Sequence, residues 1–215
     1  MKDGKVGRRP DYATWTLVAS LVVAACVGGA STDMATLRQL GARPPLWGFH
    51  PRPEQLVLPL FLHFGWLHWA CNLLSLLAVA ASVECVAGPA MVIYLFFFSG
   101  IASILVSLIH QPQAMALGCS GAVFGIWAAR VLHSWWPPQE PERGKISLFF
   151  ACGMVLTVVP QKMGLPVDNW GHWGGLVAGL IGYSAYRLGW IPRVLAMLAV
   201  LGWAGYTSRP PWLPF

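Results

Sequence analysis

The sequence predicts an all-α, polytopic membrane protein, and three observations predict it. First, 56% of the 215 residues are hydrophobic and 10% are charged, against about 25% charged in an ordinary soluble domain. Second, the mean hydropathy is +0.58, and apolar runs close to the length of a membrane span, about 20 residues, recur along the chain. Third, many of the 12 Trp residues lie near the ends of those runs, where indole rings favour the membrane–water interface. A soluble fold of this length has too little interior to hide so much apolar surface. Inside lipid the backbone must satisfy its own polar groups, which a helix does within each segment. A single domain of six or seven helices with short loops is expected.

Residues 1–12 form a polar, basic tail carrying Lys2, Lys5, Arg8 and Arg9. The first span runs over about 13–30, and residues 31–54 form a long loop rich in Pro, Arg and aromatics. The second span is expected over about 55–82 and the third over about 89–109, closed by the polar turn His110-Gln111-Pro112-Gln113. The fourth starts at Gly118 and runs to about Leu132. A polar, Pro-rich loop from His133 to Lys145 leads to the fifth, about 146–160, and the sixth covers about 170–186. Residues 191–206 are apolar but short. They are read as a seventh, C-terminal helix, with a helix lying in the interface as the alternative. Residues 13–190 are thus the membrane core, and 191–215 an added helix and tail.

The net charge of +6 is spread over helix ends rather than gathered in a stripe, so it reads as a topology signal and not as a nucleic-acid surface. With the N-terminus inside, the inner segments carry Lys2, Lys5, Arg8, Arg9, Arg130, Arg143, Lys145, Arg187 and Arg193. The outer segments carry Arg38, Arg43, Arg52, Lys162 and Arg209. Nine against five favours a cytoplasmic N-terminus. Short loops suggest a bacterial inner membrane. The five cysteines (Cys26, Cys71, Cys85, Cys119, Cys152) contain no C-x-x-C pair. They are read as small buried residues rather than as metal ligands or disulfides.

Two polar residues stand at the heads of apolar helices, where each is costly and needs a reason. Ser120 lies in Gly118-Cys119-Ser120-Gly121, with Ala122 and Gly125 beyond it. Small residues four apart let helix backbones approach closely, so packing alone is one reading of this serine. A helix N-terminus also offers free N–H groups that can stabilise an oxyanion. His172 is followed by Gly175 and Gly179, at i+3 and i+7 on the same face. It is either an interfacial polar group or a base turned towards a closely packed neighbour. If that neighbour is the fourth span, the two side chains come within reach as nucleophile and base. His68 and Asn72, four apart, lie about 40° apart around a helix and form an inward donor pair suited to an oxyanion. His63 and His68 diverge by about 140°, a poor geometry for a shared metal, so neither a metal nor a cofactor is expected.

These segments together resemble the rhomboid family of intramembrane serine proteases. The likeness runs from Leu56 to about Tyr186. It rests on H-x4-H-x3-N at His63, His68 and Asn72, on G-x-S-G at Gly118 to Gly121, and on H-x2-G-x3-G at His172, Gly175 and Gly179. Glu84 and Gly88 resemble the family's segment between its second and third helices. The resemblance implies a six-helix core, sometimes with a seventh helix. It implies Ser120 as nucleophile and His172 as general base, a dyad without a carboxylate. His68 and Asn72 would form the oxyanion hole with the Ser120 backbone N–H, and His63 would support the site. Gly118 and Gly121 would permit the turn and the close packing. Substrates would be transmembrane proteins in the bilayer, cut in or near their spans. The family often carries Trp-Arg before the second span, where this chain has Glu54 and Gln55; Trp47 and Arg52 are nearby but out of register.

Three other readings are weighed against this. Cys119 as the nucleophile lacks a cationic neighbour in sequence. A catalytically inactive rhomboid-like protein that binds transmembrane clients would have no need of both Ser120 and His172. A transporter would need an ionisable path across the bilayer, and Glu84, the only acidic residue near a span core, is placed by this reading in an inner loop.

Overall fold

The computed structural model describes residues 11–42, 53–135, 142–162, 167–189, 195, 197 and 199–200. The long elements among them are helices: α1 (Tyr12–Ala24), α2 (Met34–Gln39), α3 (Gly65–Ala87), α4 (Pro89–His110), α5 (Ser120–Trp135), α6 (Arg143–Lys162) and α7 (Asn169–Leu188). Three helical stretches, Tyr12–Gly29, Gly65–Ala87 and Pro89–His110, are long and apolar enough to cross a membrane. The helices α5, α6 and α7 have 16, 20 and 20 residues. Of the expected seventh span, Leu195, Met197, Ala199 and Val200 are helical, and the rest lies outside the described residues, as do Trp47 and Arg52.

The centre of the bundle is the trio α4, α5 and α7, packed closely on one another. Glycine makes this possible. A Cβ added at Gly175 would lie 2.1 Å from the Gly121 carbonyl oxygen, and one added at Gly179 would lie 2.1 Å from that of Gly125. The α5 and α7 backbones therefore touch directly, as small residues permit in apolar surroundings. On the other side of α5, Ser103 and Ser99 of α4 fill the space against Gly121 and Gly125. Helix α3 packs on α5, and α1 lies across α3 and α4. Leu21, Leu76, Leu95, Phe96 and Ile126 are fully buried where these helices meet. Helix α6 rests mainly on α5. Large apolar side chains such as Leu67 (81% exposed) and Leu74 (65%) face outward, the reverse of a water-soluble surface and what a lipid solvent requires.

Four sequence expectations are corrected. The second span begins at Gly65, not near Gln55, because Pro53–Leu56 and Leu58–Phe61 are separate 3-10 turns and Gly65 takes a positive φ of 78°. At its other end the helix continues to Ala87, so Glu84 sits inside α3, fully buried, and not in a loop. Its oxygens accept from the backbone N–H groups of Ala13 and Thr14 at 2.8 Å and from the Thr14 hydroxyl at 2.7 Å. A carboxylate at a helix N-terminus meets free N–H groups and the positive end of the dipole, and this one pins the start of α1. The loop after the first span contains α2, a short helix capped by Asp33, whose carboxylate accepts from the N–H groups of Ala35 and Thr36. Finally, Cys26, Cys71, Cys85 and Cys152 are exposed on the bundle, and Cys119 is buried.

Candidate active site

The site forms where α5 and α7 begin. The chain before α5 is tied down by the Gly118 N–H, which donates to the Pro59 carbonyl at 2.8 Å. Gly118 has φ 102°, and a Cβ there would lie 2.9 Å from the His68 ring. Only glycine meets both demands. The turn delivers Ser120 as the first residue of α5. At the start of α7, the Asp168 side chain caps the helix by accepting from the Gly171 N–H at 2.8 Å, which sets His172 one turn in.

The two side chains meet. His172 Nε2 lies 2.8 Å from Ser120 Oγ, inside the hydrogen-bond range for such a pair. His172 is buried, with the Phe124 ring 4.7 Å from its own. Its other nitrogen, Nδ1, lies 3.3 Å from Asn169 Oδ1. A carbonyl oxygen only accepts, so this contact puts the proton on Nδ1 and leaves Nε2 free to accept from the serine hydroxyl. Asn169 Nδ2 in turn donates to the Thr157 carbonyl of α6 at 3.5 Å, which fixes the orientation of the amide.

The predicted donor pair lines the same region. Asn72 is buried, with its Nδ2 donating to the His68 carbonyl at 3.0 Å. His68 is half-buried against Gly118, and its Nδ1 accepts from the Phe64 N–H at 3.3 Å. His63 is fully buried, its ring 5.2 Å from that of His68. Cys119, next to the serine, has its sulfur 3.7 Å from both His63 Nε2 and Asn72 Oδ1. Among the described residues, no group of three His, Cys, Asp or Glu side chains is arranged to hold a metal ion.

The geometry thus brings together Ser120, His172, His68, Asn72, His63 and Gly118, with Gly121, Gly175 and Gly179 holding α5 against α7. Sequence reasoning missed Asn169, Asp168 and Phe124. Asn169 and His172 are three apart, and so are Ser120 and Val123, with Phe124 one further on. Helix-face arithmetic at i+3 and i+4 carries that signal, but it singles out a residue only once the serine–histidine pair is known.

A helical bundle with three membrane-length apolar helices and a serine hydrogen-bonded to a histidine inside it defines an integral membrane protein with a polar centre. The chain belongs to the rhomboid family, since the Rhomboid domain matches residues 51–188. It is 33% identical over 175 residues to Rhomboid-like protease 3 of Toxoplasma gondii, covering 77% of this chain and 65% of that one. It is 28% identical over 167 residues to Rhomboid protease GluP of Bacillus subtilis, covering 75% and 32%. With Rhomboid-type serine protease 2 of Emericella nidulans the identity is 35% over 139 residues, covering 60% and 27%. The chain spans 65% or less of the length of each of these relatives.

Proposed function

We propose that the chain is an intramembrane serine endopeptidase that cleaves peptide bonds in or near transmembrane segments of membrane proteins. The observation that carries this is the 2.8 Å approach of His172 Nε2 to Ser120 Oγ within a rhomboid bundle. His172 takes the hydroxyl proton as Oγ bonds to the scissile carbonyl carbon. The developing oxyanion is held by His68, Asn72 and the Ser120 backbone N–H. His172 then gives its proton to the leaving amine nitrogen as the C–N bond breaks. Water, deprotonated by the same imidazole, releases the acyl group and restores the serine. A helical substrate shields its carbonyls, so the cleaved segment is one that unwinds locally. The reaction uses no metal and no cofactor in this scheme.

In the proposed topology the N-terminus is cytoplasmic, residues 13–190 form the catalytic core, and the site faces the outer side of the membrane. The test is cleavage of a model transmembrane substrate by purified protein in detergent, comparing wild type with Ser120→Ala and His172→Ala. Wild-type cleavage with both variants silent supports the dyad. Cleavage by Ser120→Ala rejects it. A wild type that captures substrates without cutting them points to a client-binding protein instead.

A further inference from the structure

We infer that Cys119 is a positioning residue, whose thiol orients the Asn72 carboxamide as an oxyanion donor and links that amide to His63; this rests on the protease reading above. Cys119 is 0% exposed and lies directly before the nucleophile. Its sulfur has two polar neighbours, Asn72 Oδ1 and His63 Nε2, each at 3.7 Å. That is within reach of a hydrogen bond involving sulfur, a weak donor and weak acceptor.

The direction of each bond follows from the partners. Asn72 Nδ2 donates to the His68 carbonyl at 3.0 Å, which identifies the nitrogen end of the amide, because a carbonyl cannot donate. The end facing Cys119 is therefore Oδ1, which can only accept, so the S–H proton points to Asn72. His63 does not compete for it when its Nε2 carries the proton. With a proton on Nε2, His63 donates to the sulfur. Without one, Nε2 is an acceptor for the Cys119 backbone N–H at 3.5 Å or for the thiol at 3.7 Å, and the infrared shift in Asn72→Ala tells which partner holds the S–H.

The amide is then held at both ends, by the thiol at Oδ1 and by the helix carbonyl at one Nδ2 hydrogen. The second Nδ2 hydrogen is left to meet an oxyanion. An amide fixed before the reaction need not reorganise as charge develops, which is where such donors gain their effect. In this arrangement Cys119 acts through Asn72 and does not touch the substrate. It also gives His63 a role, since in the donating tautomer His63 reaches Asn72 through the sulfur.

Two measurements test this, one of them independent of activity. The cysteine S–H stretch falls in a window clear of other protein bands, and the difference between wild type and Cys119→Ala isolates the Cys119 band. The expected band lies below that of the four exposed thiols and shifts up in Asn72→Ala. A band that Asn72→Ala leaves in place overturns the bond. In cleavage assays, Cys119→Ala is expected to lower kcat about three- to tenfold, the scale of one modest hydrogen bond, with KM little changed. Cys119→Ser, which keeps a donor, restores most of it and carries the test if the alanine variant folds poorly. On an Asn72→Ala background, Cys119→Ala adds nothing, as coupled residues require. An equal loss on both backgrounds shows that the thiol acts independently of Asn72 and overturns the inference. A wild type that cleaves nothing rejects the protease reading, whereas the infrared band still decides the hydrogen bond.

Discussion

Helix α3 carries buried polar groups at both of its ends, and they are bonded in opposite ways. Near its C-terminal end Glu84 is saturated by three bonds of 2.7 to 2.8 Å from the first turn of α1, and the neighbouring Ser82 hydroxyl accepts from Arg130 Nε at 2.7 Å. Near its N-terminal end, the serine–histidine pair shares one bond of 2.8 Å, and the contacts that support the pair are longer. They are 3.3 Å from His172 to Asn169, and 3.7 Å from Cys119 to His63 and to Asn72. A buried ion costs several kcal/mol unless it is fully bonded, so a carboxylate kept for structure is saturated. In the proposed reaction His172 and Ser120 must exchange partners, whereas the donors around them stay fixed. Three bonds converging on Glu84, against a pair that shares a single one, is the contrast expected if one end is an anchor and the other the proposed reaction centre.

The sharpest way to break this comparison is to remove one residue from each end. Ser120→Ala and His172→Ala are expected to lower cleavage by about 10³-fold or more, as loss of a nucleophile or base does, with the melting temperature nearly unchanged. Acid has the same sense. A protonated His172 has no lone pair at Nε2 to take the serine proton, so kcat falls as pH is lowered. Full activity at pH 5 argues against His172 as the base. Glu84→Ala should do the reverse. It leaves two N–H groups and a hydroxyl without their acceptor and should cost about 3 kcal/mol of stability at the scale of such losses, read as a lower melting temperature in detergent. The protein that stays folded keeps its specific activity. If Glu84→Ala abolishes cleavage without loss of stability, the division between the two ends fails.

Between the ends, the glycines of α7 grade one behaviour into the other. Alanine at either Gly175 or Gly179 places a methyl group against rigid α5 backbone, and overpacking of this kind costs about 1–3 kcal/mol. Gly175 presses on Gly121, the neighbour of Ser120, whereas Gly179 presses on Gly125, one turn further away. Both variants should melt lower by similar amounts. Gly175→Ala should lose more kcat for the same loss of stability, because it displaces the turn that carries the serine. Equal losses of activity would mean that the pair tolerates a shift of α5.

The fold class and the order of the helices were legible because hydropathy marks the long apolar runs that become helices. The serine and histidine that the fold brings to 2.8 Å were legible because a polar residue beside small ones at a helix head is conspicuous in an apolar sequence. Three things escaped. The helix start at Gly65 depends on 3-10 turns in Leu58–Phe61 that are as apolar as the span they precede. The place of Glu84 inside α3 was hidden because its charge is met by α1, 70 residues away in sequence, and no local pattern announces such a partner. Asn169 looked like one more polar residue before a span, and it became a partner for His172 only when the helix set its face.

Asp33 supplies the case that separates saturation from burial. Its carboxylate is as well bonded as that of Glu84, accepting from the Thr36 hydroxyl at 2.5 Å and from the N–H groups of Thr36 and Ala35 at 3.0 and 3.1 Å. It caps α2 in full contact with solvent, where water can replace each of those bonds. The Thr36 hydroxyl, followed by the two N–H groups, holds its carboxyl below the usual carboxylate range. The sign of the linkage follows. A lowered folded-state pKa contributes stability above the unfolded value, and that contribution is lost as pH falls through the folded pKa. Asp33→Ala should therefore loosen α2 slightly at neutral pH, read as faster amide exchange over Met34–Gln39, and the difference from wild type should shrink on acidification. The effect should be the smallest of the series. If it matches that of Glu84→Ala, saturation by itself sets the cost and burial in the bundle adds nothing.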